Sequence, residues 1–169
     1  YVTRLANEGL VSSYSLVGEG AARIDVERSM GAVPDGVLKL EHGMPIEELE
    51  RYYASVDMTV VSLRKSECFS GTIPSKIFQS FARGVPVLFV GPEGEASRLV
   101  RESGAGLALC GDSEEDFVRF KQFAGQADLA QTLARMSACA VDFMESNYTR
   151  KRMAARMLSV LAETAEIAK

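Results

Sequence analysis

Short apolar runs alternating with helical patterns limit this chain to a small group of folds. Tyr14–Val17, Val37–Leu40, Met58–Leu63, Pro86–Val90 and Gly106–Cys110 read as strands. Between them lie amphipathic stretches: Gly20 to about Met30, a helix opened by Pro45, and Glu95–Ser103 with Ala96, Leu99 and Val100 facing inward. The Pro45 helix carries Glu47 and Glu48 in its first turn, favourable to the helix dipole, and Ile46, Leu49, Tyr53 and Val56 as its expected buried stripe. Apolar strands alternating with such helices predict an α/β fold, a doubly wound parallel sheet with helices on both faces. Leu129, Leu133, Met136, Ala140 and Phe143 mark a long helix, and a final helix at about 149–166 carries Met153, Met157 and Leu161.

The segment from Ile73 to Val87 is the most informative for function. Pro74 suits the first helical position, where a missing N–H costs nothing. Ile77, Phe78 and Phe81 share an apolar face, leaving Ser75, Gln79 and Arg83 on another. Gly84 then stops the helix ahead of a buried strand. A helix that starts at the mouth of a parallel sheet aims unpaired N–H groups outward, which suits a phosphate.

With 169 residues, the chain has room for one domain, 1–169, with a substantial core. No internal repeat or linker interrupts it. A formal charge of −4 argues against nucleic acid as partner, because a phosphate backbone needs a basic surface. Cys68, Cys110 and Cys139 show no close spacing, so neither a disulfide framework nor a zinc site is expected, and a reducing cytoplasm is the simple reading. No apolar run approaches the length of a membrane span. His42 is the only histidine and is expected to have no catalytic task. No nucleophile–base pair or metal cluster can be assembled, so the catalytic residues stay unassigned and no metal is expected. Asp112, Glu114, Glu115 and Asp116 read as a solvated first turn of a helix. The chain begins at Tyr1 inside a helical pattern of Val2, Leu5 and Ala6, stopped by Gly9, which looks like a piece of a longer polypeptide.

The run IPSKIFQSFARGVPVLFV, followed by Gly94, Glu95 and Glu102–Leu107, is similar to the carboxyl-terminal, donor-binding half of retaining family 4 glycosyltransferases. The nearest resemblance is to the bacterial surface-polysaccharide members of this GT-B family, and it runs from about Val11 to the final helix. It implies a Rossmann-like sheet whose central first strand is missing from the chain. It also implies a nucleoside-diphosphate-sugar substrate such as a UDP- or GDP-sugar, no cofactor, no essential metal, and an amino-terminal acceptor domain in the same parent polypeptide.

Site residues follow by position. The resemblance places the donor diphosphate on Gly71, Thr72, Ile73, Ser75 and Lys76, the ribose on Gln79, and the base on Gly43 and Met44. Further donor contacts fall on Gly18 of the turn Gly18-Glu19-Gly20, on Arg64 and on Glu95. Gly71 and Gln79 stand where the family has two glutamates eight positions apart, so this chain departs from the pattern at both. The final helix is expected to pack on the amino-terminal domain. Its basic residues Arg150, Lys151, Arg152 and Arg156 allow a peripheral association at the inner face of a membrane. The implied parent is a hexosyl- or N-acetylhexosaminyl-type transferase of polysaccharide or glycolipid synthesis, with the isolated chain inactive. The alternatives are half of a sugar-nucleotide 2-epimerase, which needs paired carboxylates and histidines, and a non-catalytic α/β nucleotide-binding module. A version extended upstream by about 20 residues, roughly a strand and the rest of a helix, should melt at a higher temperature. Equal melting temperatures for the two chains would refute the missing strand.

Overall fold

The apolar runs do form strands, and every pairing among them is parallel. The computed structural model describes residues 2–20, 23–111 and 113–167. In chain order the elements are α1 (Val2–Asn7), β1 (Tyr14–Val17), α2 (Arg23–Ser29), β2 (Leu38–Glu41), α3 (Ile46–Ser55), β3 (Thr59–Ser62) and α4 (Ser75–Phe81). There follow β4 (Val87–Val90), α5 (Glu95–Glu102), β5 (Gly106–Leu109), α6 (Glu114–Ala124), α7 (Leu129–Asn147) and α8 (Arg150–Ile167). The architecture is α/β, parallel sheets flanked by helices, as the alternating pattern requires. The strands form two sheets, however, where one was expected. One has the order β1-β2 and the other β3-β4-β5. No strand among the described residues hydrogen-bonds to the second edge of β1 or of β3.

The chain divides into two compact units, Tyr1–Ser55 with Asp112–Leu129, and Val56–Gly111 with Ala130–Lys169. In the first, α6 returns to α1 through side chains far apart in sequence. Arg4 grips both carboxylate oxygens of Glu114 and lies 3.5 Å over the Phe117 ring, a cation on an aromatic face. Lys121 reaches Glu8 at 2.7 Å. Leu5, Ala6, Val33, Phe117 and Phe120 are buried there. Asp116 is buried too, which corrects the solvated first turn expected of it. Its backbone N–H caps on the Ser113 hydroxyl. Asp112, also named in that reading, and the side chain of Val2, named in the helical pattern of α1, lie outside the described residues. The expected stripe of α3 is corrected as well. No residue of that helix is buried, Leu49 and Tyr53 are half-buried, and Ile46 and Val56 are exposed.

The second unit holds the core. Val87, Leu88 and Phe89 of β4 are all buried. Successive strand residues point to opposite faces, so both faces of this middle strand are covered. Ile77 and Phe81 from α4, and Ala96, Leu99 and Val100 from α5, join Val87, Phe89 and Ala140 in one apolar cluster. Phe81 meets Phe143 of α7 edge-on with centroids 6.0 Å apart, and Tyr148 stacks at a tilt on Phe143 and Phe78. Gly84 ends α4 with φ +67°, a conformation that L side chains rarely adopt. Thr59 at the start of β3 donates its hydroxyl to Ser80 at 2.7 Å, which ties that strand to α4. Every described residue of α8 from 150 to 165 is exposed, and none of the described helices is long and apolar enough to cross a membrane.

Phe81 is fully buried and Met157 is 65% exposed. In denaturant titrations followed by circular dichroism, Phe81→Ala should cost about 3–5 kcal/mol, whereas Met157→Ala should stay within about 0.5 kcal/mol. Comparable losses at the two positions would contradict this placement of the core.

Candidate functional site

Parallel strands deliver their loops to one edge, and the loops after β3 and β4 meet at the carboxyl edge of the second sheet. Ligands collect at that edge in open α/β folds. Arg64 lies two residues past the end of β3. A 3-10 turn at Glu67–Phe69 then leads into Ser70, Gly71 and Thr72. On the other side, Gly91–Gly94 link β4 to α5. The two loops wall a cleft of about 550 Å³ lined by Ser70, Gly71, Glu93, Gly94, Glu95 and Arg101, among others.

Backbone contacts join the two walls. The Glu95 N–H, in the first turn of α5, donates to the Ser70 carbonyl at 2.7 Å. A Cβ at Gly94 would lie 2.1 Å from the same carbonyl oxygen, so only glycine allows this approach. Ser97 is fully buried. Its hydroxyl accepts the Gly94 N–H at 2.9 Å and lies 2.9 Å from Glu93 Oε1.

Glu93 binds Arg101 through both oxygens, at 2.6 and 2.8 Å. The Arg101 guanidinium, with smaller help from Cys110 and Ser97, lowers the Glu93 pKa to about 2. Burial first, then Glu93, pushes the Cys110 thiol up. Glu95 pairs with Arg98. Both acidic residues at the mouth of α5 are thus matched by arginines, which removes the repulsion they would otherwise offer an anionic ligand.

The cleft brings together two residues expected to touch the donor, Gly71 and Glu95. Ile73, Ser75 and Lys76 follow Gly71 in the chain and are not among the residues that line the cleft. Among the described residues, no protein acceptor pairs with the N–H of Gly71, Ile73, Ser75 or Lys76. The Thr72 N–H already donates to the Phe69 carbonyl at 3.0 Å, which leaves its exposed hydroxyl. Pro74 caps the helix, with φ −63° and ψ 133°, instead of occupying its first turn. Gln79 is exposed on the second turn of α4.

Gly18, Gly43 and Met44 belong to the first unit, at the carboxyl ends of β1 and β2. Arg23 donates to the carbonyls of Gly18 and Glu41 at 3.1 and 3.0 Å, tying the two strand ends. His42, expected to stand alone, has Glu19 at 2.5 Å from Nδ1. His42 first, and also the Gly43 backbone N–H, lower the Glu19 pKa. The sequence reading missed Arg23, Glu19, Glu93, Ser97 and Arg101. Ser97 at the third position of a helix behind Gly94 is a recognisable capping pattern. The Glu93–Arg101 pair, spanning eight positions across a loop and a helix, leaves no local signal. Among the described residues no group of three or more histidine, cysteine, aspartate or glutamate side chains is gathered to hold a metal.

No protein-family model matches the sequence, and neither does any curated protein. Among solved structures, the chain superposes on WaaG, a glycosyltransferase involved in lipopolysaccharide biosynthesis, with a TM-score of 0.62 at 12% identity. What the two share is the Rossmann-like α/β fold, parallel sheets flanked by helices. The match covers 83% of this chain but only 38% of the WaaG chain, so the present chain spans well under half of that protein.

Glu93 gives the site a pH signature. Its carboxyl sits at about 2 in the folded chain against an ordinary 4.5. A depressed carboxyl stabilises the fold above its unfolded value, and that contribution disappears as pH falls through the folded one. Between about pH 4.5 and 2, the wild type should therefore lose melting temperature more steeply than Glu93→Gln. Parallel acid profiles for the two proteins would show that the Arg101 pair does not persist in solution.

Proposed function

We propose that this chain is the donor-binding part of a retaining glycosyltransferase, holding the diphosphate of a nucleoside-diphosphate sugar in the cleft between Gly71 and Glu95. The observation that supports the reading is that the N–H of Gly71, which lines that cleft, and those of Ile73, Ser75 and Lys76, which follow it in the chain, have no protein acceptor among the described residues. The Thr72 and Ser75 hydroxyls and the exposed Lys76 ammonium add donors and a charge. A fixed array of N–H donors stabilises negative charge as it develops on a leaving diphosphate, at little reorganisation cost. Glycosyl transfer then needs no cofactor from this half. In the same reading Gln79 holds the ribose, and Gly43 and Met44 serve the base. Arg64 and Gly18 are further donor contacts.

The remaining parts of the proposal follow from the same reading. An amino-terminal acceptor domain of the parent polypeptide completes the enzyme and packs on α8, whose apolar residues Met153, Met157 and Leu161 are exposed. The parent works in bacterial polysaccharide or glycolipid synthesis, in the cytoplasm or at the inner face of a membrane. Its donor is a nucleotide sugar and not a nucleic acid. The 2-epimerase alternative is favoured by one contact, the Glu19–His42 pair. Formation of a C2-epimerised sugar nucleotide by this chain would select it.

Calorimetric titration of UDP, GDP and their sugars tests the main reading. The chain should bind one nucleoside diphosphate weakly and catalyse no transfer on its own. Gln79→Ala should cost about 0.5–1.5 kcal/mol, the net scale of one neutral hydrogen bond, and Lys76→Ala should weaken binding most at low salt. No binding of any of these ligands would overturn the proposal, and an unchanged Gln79→Ala affinity would take that residue out of the site.

A further inference from the structure

We propose that Glu93 is a positioning residue for the diphosphate loop. Without touching the ligand, it holds the Gly94–Glu95 backbone against Ser70 and so sets the Gly71–Ser75 segment that faces the phosphates. The inference rests on the donor-binding reading above.

Glu93 lines the cleft, yet its carboxylate is committed elsewhere. Both oxygens engage Arg101, and Oε1 also meets the Ser97 hydroxyl. These two partners lie near opposite ends of α5, whose Ala96, Leu99 and Val100 are packed into the core. One exposed carboxylate thus fastens the loop after β4 along the length of a helix that cannot shift without opening that core. From Ser97 the path continues through the Gly94 N–H to a glycine packed directly on the Ser70 backbone, and through the Glu95 N–H to the Ser70 carbonyl. Ser70 immediately precedes Gly71. The Arg101 Nη2 that bonds Glu93 Oε2 also meets the Cys110 sulfur at 3.2 Å, a second contact that holds the guanidinium in place for Glu93. A glutamine at 93 keeps the shape but loses the charge-assisted, two-point pairing that fixes the loop's direction.

The test uses the whole 169-residue chain, with Glu93→Gln, Arg101→Gln and the double variant. Two quantities are read: amide hydrogen exchange at Gly94 and Glu95 without ligand, and affinity for UDP and GDP. Each single variant should raise exchange at both amides about threefold or more, with Phe81 unchanged, the scale set by loss of an exposed ion pair. Each should also weaken nucleotide binding to a similar degree, and the double variant should be no worse than either single, because the two residues act as one unit. Unchanged exchange overturns the proposal, as does faster exchange with unchanged affinity. Additive losses of affinity in the double variant overturn it too, since they would mean that Glu93 or Arg101 touches the ligand. Wild-type protein that binds neither UDP nor GDP overturns the donor reading, and the positioning role falls with it. If the wild type binds and only the exchange or additivity result fails, the donor reading stands.

Discussion

A backbone hydrogen bond of 2.7 Å, from the Glu95 N–H to the Ser70 carbonyl, joins the two loops that make the cleft. It forms because Gly94 has no Cβ to collide with Ser70 and because α5 begins there with an N–H that no intrahelical carbonyl can reach. The helix start is satisfied by the neighbouring loop, and that loop is held in place by the helix start. Everything proposed for Gly71 to Lys76 depends on this mutual arrangement. Without it, the segment after the 3-10 turn would have no fixed relation to the strand edge.

Electrostatics around the cleft follow the same economy. Glu93 and Glu95 would repel a diphosphate if left bare, but Arg101 and Arg98 match them. These pairs are partly exposed and contribute little to global stability; their effect is to set direction and local charge. The seven-residue helix α4 is too short to supply a large dipole of its own. Its Ser75 and Lys76 N–H groups have no protein acceptor among the described residues, while Ile77 and Phe81 anchor it in the core.

Much of the second unit was legible in the residues. β4 reads as a strand because Val87, Leu88 and Phe89 are apolar in succession, and a strand buried on both faces demands that. α5 reads correctly because Ala96, Leu99 and Val100 recur at helical spacing. α3 shows the limit of the same logic: its spacing predicts a buried stripe, yet Ile46 is 55% exposed. Periodicity reports a face that is able to be buried, and nothing in it says whether a surface is present to cover that face. α6 errs the other way, since a row of acidic residues reads as solvated while Asp116 is buried at the helix start. In the cleft, Gly71 and Glu95 were named in advance, whereas the use of the Thr72 N–H by the 3-10 turn depends on local folding that residue spacing does not report.

By itself the sequence determined the α/β class, the order of strands and helices, and the loop that precedes α4, because those depend on local spacing of apolar residues, glycine and proline. The tertiary structure decided how the strands divide into two sheets. It also decided which amides remain unpaired, and that Glu93 reaches Arg101 while His42 reaches Glu19. Such pairings are set by distances across loops. A chain closes those distances only when its buried strands and helices have packed, so no stretch of neighbouring residues encodes them alone.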